Sequence, residues 1–270
     1  MRGIFMTGKL TVNQIKGYWE KQALKFAHSP AVSWSDHRMI EMEIREITRY
    51  LEDGDTVLDI GCANGFSTVK YALEKDIEIC GIDYISEMIR QAGLRLKPLA
   101  AKRKGKITFR TGNVLCLKVR DNGYDKVITT RVLINLGNWK NQQKGLLECM
   151  RVLKPGGILL LSEATVQGWK KLNAFRHEWQ LPAIPMPSFN FYLDERKVLG
   201  FTSRYLEPIA IVNFSSTYYV GTRVLKPLLA KASGADINVA DPHMEWNRWL
   251  ARLPAWGDYG TQKLFIFKKK

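Results

Sequence analysis

A glycine-rich turn between a predicted buried strand and a predicted helix is the first feature of this sequence that could do chemistry. The segment from Asp59 to Gly65 reads Asp-Ile-Gly-Cys-Ala-Asn-Gly. Gly61 and Gly65 have no Cβ, so the backbone can turn sharply and approach a ligand, and the helix that follows offers free N–H groups and a positive dipole end. This order predicts a ligand at the carboxyl end of a sheet. By itself, such a turn is equally typical of an ordinary strand-to-helix connection.

A second acid strengthens the interpretation of the turn as a ligand site. Asp83 stands 24 residues after Asp59, at the end of the next predicted strand. A carboxylate in that position can accept hydrogen bonds from ribose hydroxyls, as it does in dinucleotide-binding folds. Two acids at the ends of adjacent strands therefore indicate a single nucleoside site.

The elements that must position these acids alternate between short apolar runs and amphipathic segments. The predicted strands cover residues 56–60, 77–83, 107–111, 124–129, 157–162, 208–214 and 262–267. The predicted helices cover residues 36–51, 66–74, 86–101, 139–153, 168–179, 194–205, 217–229 and 242–252. This alternation is typical of a parallel sheet with helices on both faces, so we expect an α/β, doubly wound fold.

Four motifs in this order give the sequence a specific resemblance. They are Val57 to Gly65, Gly81-Ile82-Asp83-Tyr84, Gly112-Asn113-Val114 and Leu153-Lys154-Pro155-Gly156-Gly157. Together they resemble the class I, Rossmann-like, S-adenosylmethionine (SAM) dependent methyltransferase family over about residues 50 to 165. The resemblance implies a mostly parallel seven-stranded sheet with an antiparallel last strand. It also implies three parts: an aromatic-rich helical cap at 1–52, a SAM-binding core at 53–165, and a substrate-capping segment with the last two strands at 166–270.

The resemblance also assigns residues to the cofactor. It implies that Gly61, Ala63 and Gly65 line the methionine part of SAM. Asp83 then binds the ribose, Tyr84 lies against the adenine, and Asn113 and the Val114 amide address the adenine edge. Asp59, Cys62 and Thr130 complete the predicted cofactor set. The sequence departs from the common family pattern twice, with Ala63 in place of a glycine and Asn113 in place of an aspartate.

The acceptor of the methyl group is constrained mainly by motifs that are missing. After the fourth strand there is no Asn-Pro-Pro-Tyr sequence and no Pro-Cys pair, and Thr130 stands where metal-dependent catechol methylases place an acid. Transfer to an oxygen, or to a nitrogen or carbon of a small molecule, remains. A hydroxyl acceptor would benefit from a base, and the candidates are Glu163 and His177. Structural alternatives stay open, since Glu163 could cap or pair and His177 could be a surface residue.

Aromatic and polar residues outside the motifs predict the substrate walls. The candidates are Trp34, Arg131, Asn173, Arg176 and Tyr192. Such side chains suit a polar ring through stacking and directional hydrogen bonds. These stretches are also similar to uncharacterised methyltransferases of bacterial surface-polysaccharide synthesis. We therefore expect O-methylation of a sugar or a related metabolite, phosphorylated ones included.

The formal charge of +15 favours anionic partners and keeps other functions open. The densest basic cluster comprises Arg90, Arg95, Lys97, Lys102, Arg103, Lys104, Lys106 and Arg110. A solvated helix face explains this cluster as well as a binding site does. An RNA methyltransferase is the second hypothesis, a non-catalytic SAM-binding module is the third, and peripheral contact with anionic surfaces stays open.

The sequence also predicts the compartment. No apolar run is long enough to span a bilayer or to form a signal peptide, so we expect a cytoplasmic protein. The four cysteines are scattered without a CxxC pair, which argues against both disulfides and a metal site.

Overall fold

The computed structural model describes residues 10–99, 104–234, 238–239 and 241–270. The strands are Thr56–Ile60 (β1), Glu78–Asp83 (β2), Lys106–Thr111 (β3), Tyr124–Thr130 (β4), Leu153–Ala164 (β5), Leu206–Val212 (β6) and Gln262–Lys269 (β7). They form one sheet in the order β3-β2-β1-β4-β5-β7-β6, in which β7 runs antiparallel to both neighbours. The predicted fold, a mostly parallel seven-stranded sheet with an antiparallel last strand, is confirmed.

Helices cover both faces of the sheet, and further helices precede the first strand and follow the fifth. The α-helices are Val12–Phe26 (α1), His37–Thr48 (α2), Phe66–Glu74 (α3), Ser86–Leu96 (α4), Trp139–Val152 (α5), Val166–Glu178 (α6), Glu195–Thr202 (α7), Ser216–Val220 (α8), Lys226–Ser233 (α9) and Glu245–Leu250 (α10). A 3-10 turn, Leu133–Asn135, follows β4, and a π turn, Gly221–Leu225, joins α8 to α9. Within the part of the chain that the structure describes, none of these helices has the length and apolar content of a membrane span.

The core has two layers because adjacent residues of a strand point to opposite faces of the sheet. Val57 belongs to the cluster that Met39 of α2 and Val69 of α3 complete, whereas Leu58 belongs to the cluster that Leu146 of α5 completes. Burial of these side chains holds the helices flat against the sheet. The carboxyl ends of β1, β2 and β4 are thereby fixed side by side.

Several predicted boundaries differ from the structure by a few residues, and two of the differences have a local reason. The predicted helix 86–101 ends as an α-helix at Leu96 and continues as a 3-10 turn, Lys97–Leu99. Pro98 lies in that turn and has no backbone N–H to continue the α-helical ladder. The predicted helix 217–229 is instead three segments, because the π turn interrupts it.

The N-terminal segment is fastened directly over the glycine-rich turn. The buried side chain of Asn64 donates from Nδ2 to the carbonyl oxygens of Ala27, at 2.7 Å, and Ser29, at 2.9 Å. Arg95 of α4 donates from Nε to the Asn64 carbonyl at 3.0 Å and from its NH2 group to the His28 carbonyl. The segment that follows α1 is therefore positioned by the same loop that the sequence predicts to hold the cofactor.

The described residues of the basic cluster lie on α4, in and after the 3-10 turn that follows it and on β3, and part of the cluster is paired. Arg90 donates to Glu87 at 2.7 Å, and Lys106 lies 3.0 Å from Glu78. Lys102 and Arg103 lie outside the described residues.

Candidate active site

The glycine-rich turn is built from backbone conformations that most residues avoid. Gly61 has φ +76° and its N–H donates to the Ile82 carbonyl of β2 at 2.7 Å. A Cβ at Gly61 would overlap the Cγ2 atom of Val132. Ala63, which replaces the common glycine, also adopts a left-handed conformation, with φ +47°. The turn therefore presents bare backbone between β1 and β4, where a ligand can approach closely.

Gly65 is placed differently from Gly61 and Ala63. It is the N-cap of α3, with φ +72°, and a Cβ there would come within 2.6 Å of the Phe109 ring. It lines none of the cavities described below. Gly65 serves the close packing of α3 against β3, and the prediction that it lines the methionine part of the cofactor is not supported by its position.

Asp83 is held at the end of β2 by one backbone N–H group of the glycine-rich turn and one of the segment that follows β2. Its Oδ2 accepts the Ala63 N–H at 3.0 Å, and its Oδ1 accepts the Ile85 N–H at 2.9 Å. Burial raises the pKa of Asp83 to about 6, against the lowering effect of these amide donors. Each carboxylate oxygen has a second lone pair, so the ionised group can still accept from the vicinal hydroxyls of a ribose.

Asp59, the other predicted acid, is fully buried at the end of β1. Its Oδ2 accepts the Thr68 hydroxyl at 2.5 Å. Burial raises its pKa to about 6, the Thr68 hydrogen bond lowers it, and the charges of Asp83 and Glu43 raise it further. Together with Cys62, it lines a small cavity beside the turn.

The space predicted for the nucleoside is a cavity at the carboxyl ends of β1, β2 and β4, which we call the cofactor cavity. Seven residues of the predicted cofactor set line it: Gly61, Ala63, Asp83, Tyr84, Asn113, Val114 and Thr130. Ile85 and Met88 add an apolar wall. The Oδ1 atom of Asn113 accepts the Leu115 N–H at 2.9 Å, so one of its lone pairs is already used.

A second and larger cavity of about 370 Å³ adjoins the first, and we call it the acceptor cavity. Its walls come from α1, the segment that follows α1, the end of β4, residues 187–192 and the start of β7. Three of the residues predicted to bind substrate line it: Trp34, Arg131 and Tyr192. Tyr18 and Phe189 stack with their ring centroids 4.6 Å apart and join α1 to the 187–192 segment.

The two cavities meet at a small set of shared residues. Ser33 and Arg131 line the cofactor cavity, the acceptor cavity and the small cavity at Asp59. Trp19 and Asn135 line both the cofactor and the acceptor cavity. A group at the end of a bound cofactor would therefore face a second molecule across Arg131.

Arg131 is held in place by a buried hydrogen-bond network. It follows β4 with φ +55°, and its N–H donates to the Ser162 carbonyl at 2.8 Å. Its guanidinium donates to the carboxylate of Glu43 on α2. The same carboxylate accepts the Ser162 hydroxyl at 2.5 Å and the Gln262 amide at 2.9 Å. Breaking a buried ion pair from one side costs about 3–5 kcal/mol, so this network fixes the arginine firmly.

Glu163, predicted as a base, lies outside all three cavities. Its side chain is fully buried, and Oε1 accepts the N–H groups of Val132 and Leu133, both at 2.9 Å. Oε2 accepts the Ile134 N–H at 3.3 Å. Burial raises the pKa of Glu163 to about 7, although these amide bonds lower it. The carboxylate therefore caps the 3-10 turn after β4, as in the alternative in which Glu163 has a structural role.

Three further predicted residues, His177, Asn173 and Arg176, line none of the cavities. Their positions on α6 direct the side chains to solvent or to the loop after this helix. His177 is exposed in the last turn of α6. Asn173 exchanges two hydrogen bonds with the backbone of Ile184, at 2.8 and 3.1 Å. Arg176 donates to the Pro182 carbonyl at 2.7 and 2.9 Å and to the Arg223 carbonyl. The structure therefore brings none of these three predicted residues to a cavity, and it shows Asn173 and Arg176 fastening the loop after α6.

Several residues of the site were not predicted from the sequence. One of them, Glu43, lies in a pattern that could have indicated it. Glu43 interrupts the apolar stripe of α2, since it lies three residues after Ile40 and four before Ile47. A charged residue on a buried helix face must have a partner, which would have indicated an arginine nearby. Gln262, Tyr219 and Lys25 line the acceptor cavity from distant parts of the chain, and no local pattern predicts them.

Comparison with known proteins agrees with this geometry. The family described as "Methyltransferase domain" matches residues 51–191, which is just over half of the chain. An uncharacterized methyltransferase of Schizosaccharomyces pombe is 34% identical over 122 residues, which cover 43% of this chain and 42% of that protein. An O-methyltransferase of Aspergillus nomiae is 26% identical over 55% of this chain and 68% of its own length. The chain spans about half the length of the first curated relatives it matches.

Among solved structures, magnesium protoporphyrin IX methyltransferase from Synechocystis, determined with bound S-adenosylhomocysteine, superposes with a TM-score of 0.62. The superposition covers 96% of this chain and all of that one at 12% identity, so it establishes the fold. Three observations agree with the predicted methyltransferase fold: the strand order, the glycine-rich turn with its two acids, and the family match over 51–191. The chain belongs to the methyltransferase-domain family.

Proposed function

We propose that this chain is a SAM-dependent methyltransferase that methylates an oxygen of a polar small molecule bound in the acceptor cavity. The observation that carries the proposal is the meeting of two cavities at Arg131 and Ser33, one beside the glycine-rich turn and one roofed by α1. Membership of the methyltransferase-domain family supports the activity. The O-methyltransferase among its relatives supports oxygen as the acceptor atom.

The cofactor cavity fits SAM in its own chemistry. Gly61 lets the backbone approach the ligand, the Asp83 carboxylate accepts from the ribose hydroxyls, and Ile85 and Met88 offer an apolar wall to the adenine. When bound, SAM supplies a methyl group carried on a sulfonium sulfur. The protein must then align the acceptor with that group and exclude water. The stack of Tyr18 on Phe189 closes the acceptor side and serves the second task.

The size of the acceptor cavity favours a small acceptor over a polymer. A volume of about 370 Å³ lies within the range of small-molecule sites, roughly 300–1,000 Å³. Its aromatic walls suit a ring, and Lys25 and Arg131 suit an anionic substituent. A sugar or a related metabolite, phosphorylated ones included, stays the substrate class that the sequence favours.

Incubation of the protein with labelled SAM and separate fractions of metabolites, glycans and RNA tests the proposal. We expect label in the metabolite fraction and formation of S-adenosylhomocysteine (SAH), with both lost in Asp83→Asn. Label in RNA instead would establish the RNA methyltransferase hypothesis. SAM binding without SAH formation from any fraction would establish the non-catalytic module.

A further inference from the structure

The charged groups around the acceptor cavity are all of one sign. Among the described residues that line it, Lys25 and Arg131 are the charged ones, and aspartate, glutamate and histidine are absent. Hydrogen-bonding capacity comes instead from amides, hydroxyls and phenols, including Gln22, Asn190 and Tyr192. The cavity therefore holds groups that bind an anion, and the described lining offers no carboxylate or imidazole to remove a proton.

Two buried carboxylates behind the cavity wall, Glu43 and Asp36, are already engaged. The side chain of Glu43 is 1% exposed, and its two oxygens are occupied by Arg131, Ser162 and Gln262. The buried carboxylate of Asp36 accepts the Tyr218 hydroxyl at 2.8 Å and Arg223 at 3.0 Å. Neither residue lines the acceptor cavity. Their role is to hold positive side chains and a tyrosine in place.

The cation at the junction of the cavities is positioned to act on the reacting group. Arg131 lines all three cavities, and its guanidinium carbon lies 5.1 Å from the centre of the Trp34 ring. An opposite charge within about 4–6 Å lowers the pKa of an acid by roughly 1–3 units. Glu43 already offsets part of the charge of Arg131, so an acidic oxygen placed beside the guanidinium would ionise more readily than it does in water by an amount at the lower end of this range.

The walls of the cavity add a preference for a flat molecule. Seven aromatic side chains line it: Tyr18, Trp19, Phe26, Trp34, Phe189, Tyr192 and Tyr219. Tyr18 stacks on Phe189 with the ring centroids 4.6 Å apart. Trp19 meets the same ring edge-on, with the centroids 6.0 Å apart. Stacked and edge-on arrangements of this kind accommodate a further planar ring.

We propose that the acceptor is a planar ring carrying an acidic oxygen, a phenol or a carboxylic acid, that binds as its anion beside Arg131. This inference rests on the proposed O-methyltransferase function and, among polar small molecules, selects an acidic ring in place of the sugar that the sequence favours. The proton leaves to solvent before transfer. The oxygen then uses its own electron pair to bond the methyl carbon, and the pair of the broken carbon–sulfur bond stays on sulfur. A carboxyl group has a pKa near 4 and a phenol one near 10. A neutral alcohol is, like water, a far weaker acid and would need a base.

Binding of three simple probes to the protein saturated with SAH tests the inference without any turnover. Benzoate and 4-nitrophenol carry an acidic oxygen on a ring, and benzyl alcohol is a neutral probe with the same ring. We expect at least one acidic probe to bind about tenfold or more tightly than benzyl alcohol. The phenolate absorbance of bound 4-nitrophenol should give a pKa about one unit or more below that of the free probe. The acidic probe that binds better identifies the acceptor as a phenol or a carboxylic acid.

Two variants locate the effect. Arg131→Gln combined with Glu43→Gln removes both charges of the buried pair while keeping amides in their place, and it should abolish the preference for the acidic probe. Lys25→Gln, at an exposed residue, should reduce the preference by about twofold to threefold. Arg196→Gln is the control, because Arg196 is exposed on α7 and lines none of the cavities. It should leave the preference unchanged.

Equal binding of benzyl alcohol, no measurable binding of any probe, or an anion preference that survives in the double variant would each overturn the inference. Failure of the proposed function is separately visible. If SAH forms with a neutral carbohydrate, the methyltransferase stands and the acidic acceptor is wrong. If no fraction supports SAH formation, the proposed activity itself is wrong.

Discussion

The cofactor cavity and the acceptor cavity are built in opposite ways. The cofactor cavity is formed largely by consecutive strand ends of the parallel sheet and by backbone groups at Gly61, Ala63 and Val114. The acceptor cavity is assembled from side chains of distant segments, from Tyr18 in α1 to Gln262 in β7. Backbone geometry tolerates few substitutions, whereas a side-chain wall can be rebuilt residue by residue. We therefore expect the cofactor cavity to carry features shared within the family and the acceptor cavity to set the substrate.

The largest effect is expected where the backbone itself is the binding surface. Gly61→Ala places a methyl group at φ +76° and against Val132. A left-handed alanine costs about 1–2 kcal/mol before any overlap, and the overlap with Val132 forces the turn to shift. The displaced backbone should lower SAM affinity by about 30-fold or more in a calorimetric titration. Gly93→Ala is the matched control, since a Cβ there meets nothing within 4 Å. It should bind SAM normally, and equal binding by both variants would contradict the backbone account.

The second effect sharpens the comparison through pH. Because burial raises the pKa of Asp83 to about 6, its carboxylate is protonated below that pH and loses its capacity to accept from both ribose hydroxyls. SAM affinity should rise between pH 5 and pH 7.5, by about tenfold for one pH unit below the pKa. The Asp83→Asn variant should show a flat profile. A flat profile for the unmodified protein would mean that this carboxylate is not the ribose acceptor.

The same raised pKa values predict the stability of the unliganded protein. Asp59 and Asp83 have folded pKa values of about 6 and an ordinary value of 3.8, so the folded state binds more protons than the unfolded state between these values. The free energy of unfolding should therefore fall as the pH rises from about 4 to 6. Urea unfolding at several pH values measures it, and a rise over this window would contradict the burial of these acids.

A smaller effect is expected at the hydrogen bonds that join Asn64 of the glycine-rich turn to the segment after α1. Asn64→Ala leaves the Ala27 and Ser29 carbonyls without their donor, which should cost about 1–3 kcal/mol of stability. Amide hydrogen exchange should accelerate in α1 and in the segment after it. Asn141→Ala, which loses a single amide bond to Leu136, is the control and should leave exchange in α1 unchanged. Unchanged exchange in Asn64→Ala would show that the cap is held by other contacts.

The smallest effects on methyl transfer are expected at the two predicted bases. His177→Ala should change neither stability by more than about 0.5 kcal/mol nor the pH profile of methyl transfer. Glu163→Gln should lower the free energy of unfolding by about 1–3 kcal/mol, because an amide N–H would face the N–H groups that the carboxylate now accepts. A tenfold loss of kcat/KM in either variant, without loss of folded protein, would restore the catalytic role.

The two cavities also differ in how far the sequence predicts them. The cofactor cavity depends on local rules: a glycine where φ is positive, an acid at a strand end and a strand-to-helix turn. Seven of its lining residues were therefore predicted, whereas Gly65, also predicted to bind the cofactor, is the N-cap of α3 and does not line this cavity. The acceptor cavity depends on loops whose course is set by tertiary contacts. Arg176 and Asn173 have the right chemistry for a substrate, but they bind the backbone of Pro182 and Ile184.

The central claim is that Asp83 and the glycine-rich turn form the binding site for SAM. Calorimetric titration of SAM into the unmodified protein and into Asp83→Ala tests this claim most directly, with circular dichroism to confirm that the variant is folded. We predict roughly micromolar binding to the unmodified protein, about −8 kcal/mol, and no detectable binding to the variant. Unchanged SAM binding in folded Asp83→Ala would contradict the assignment.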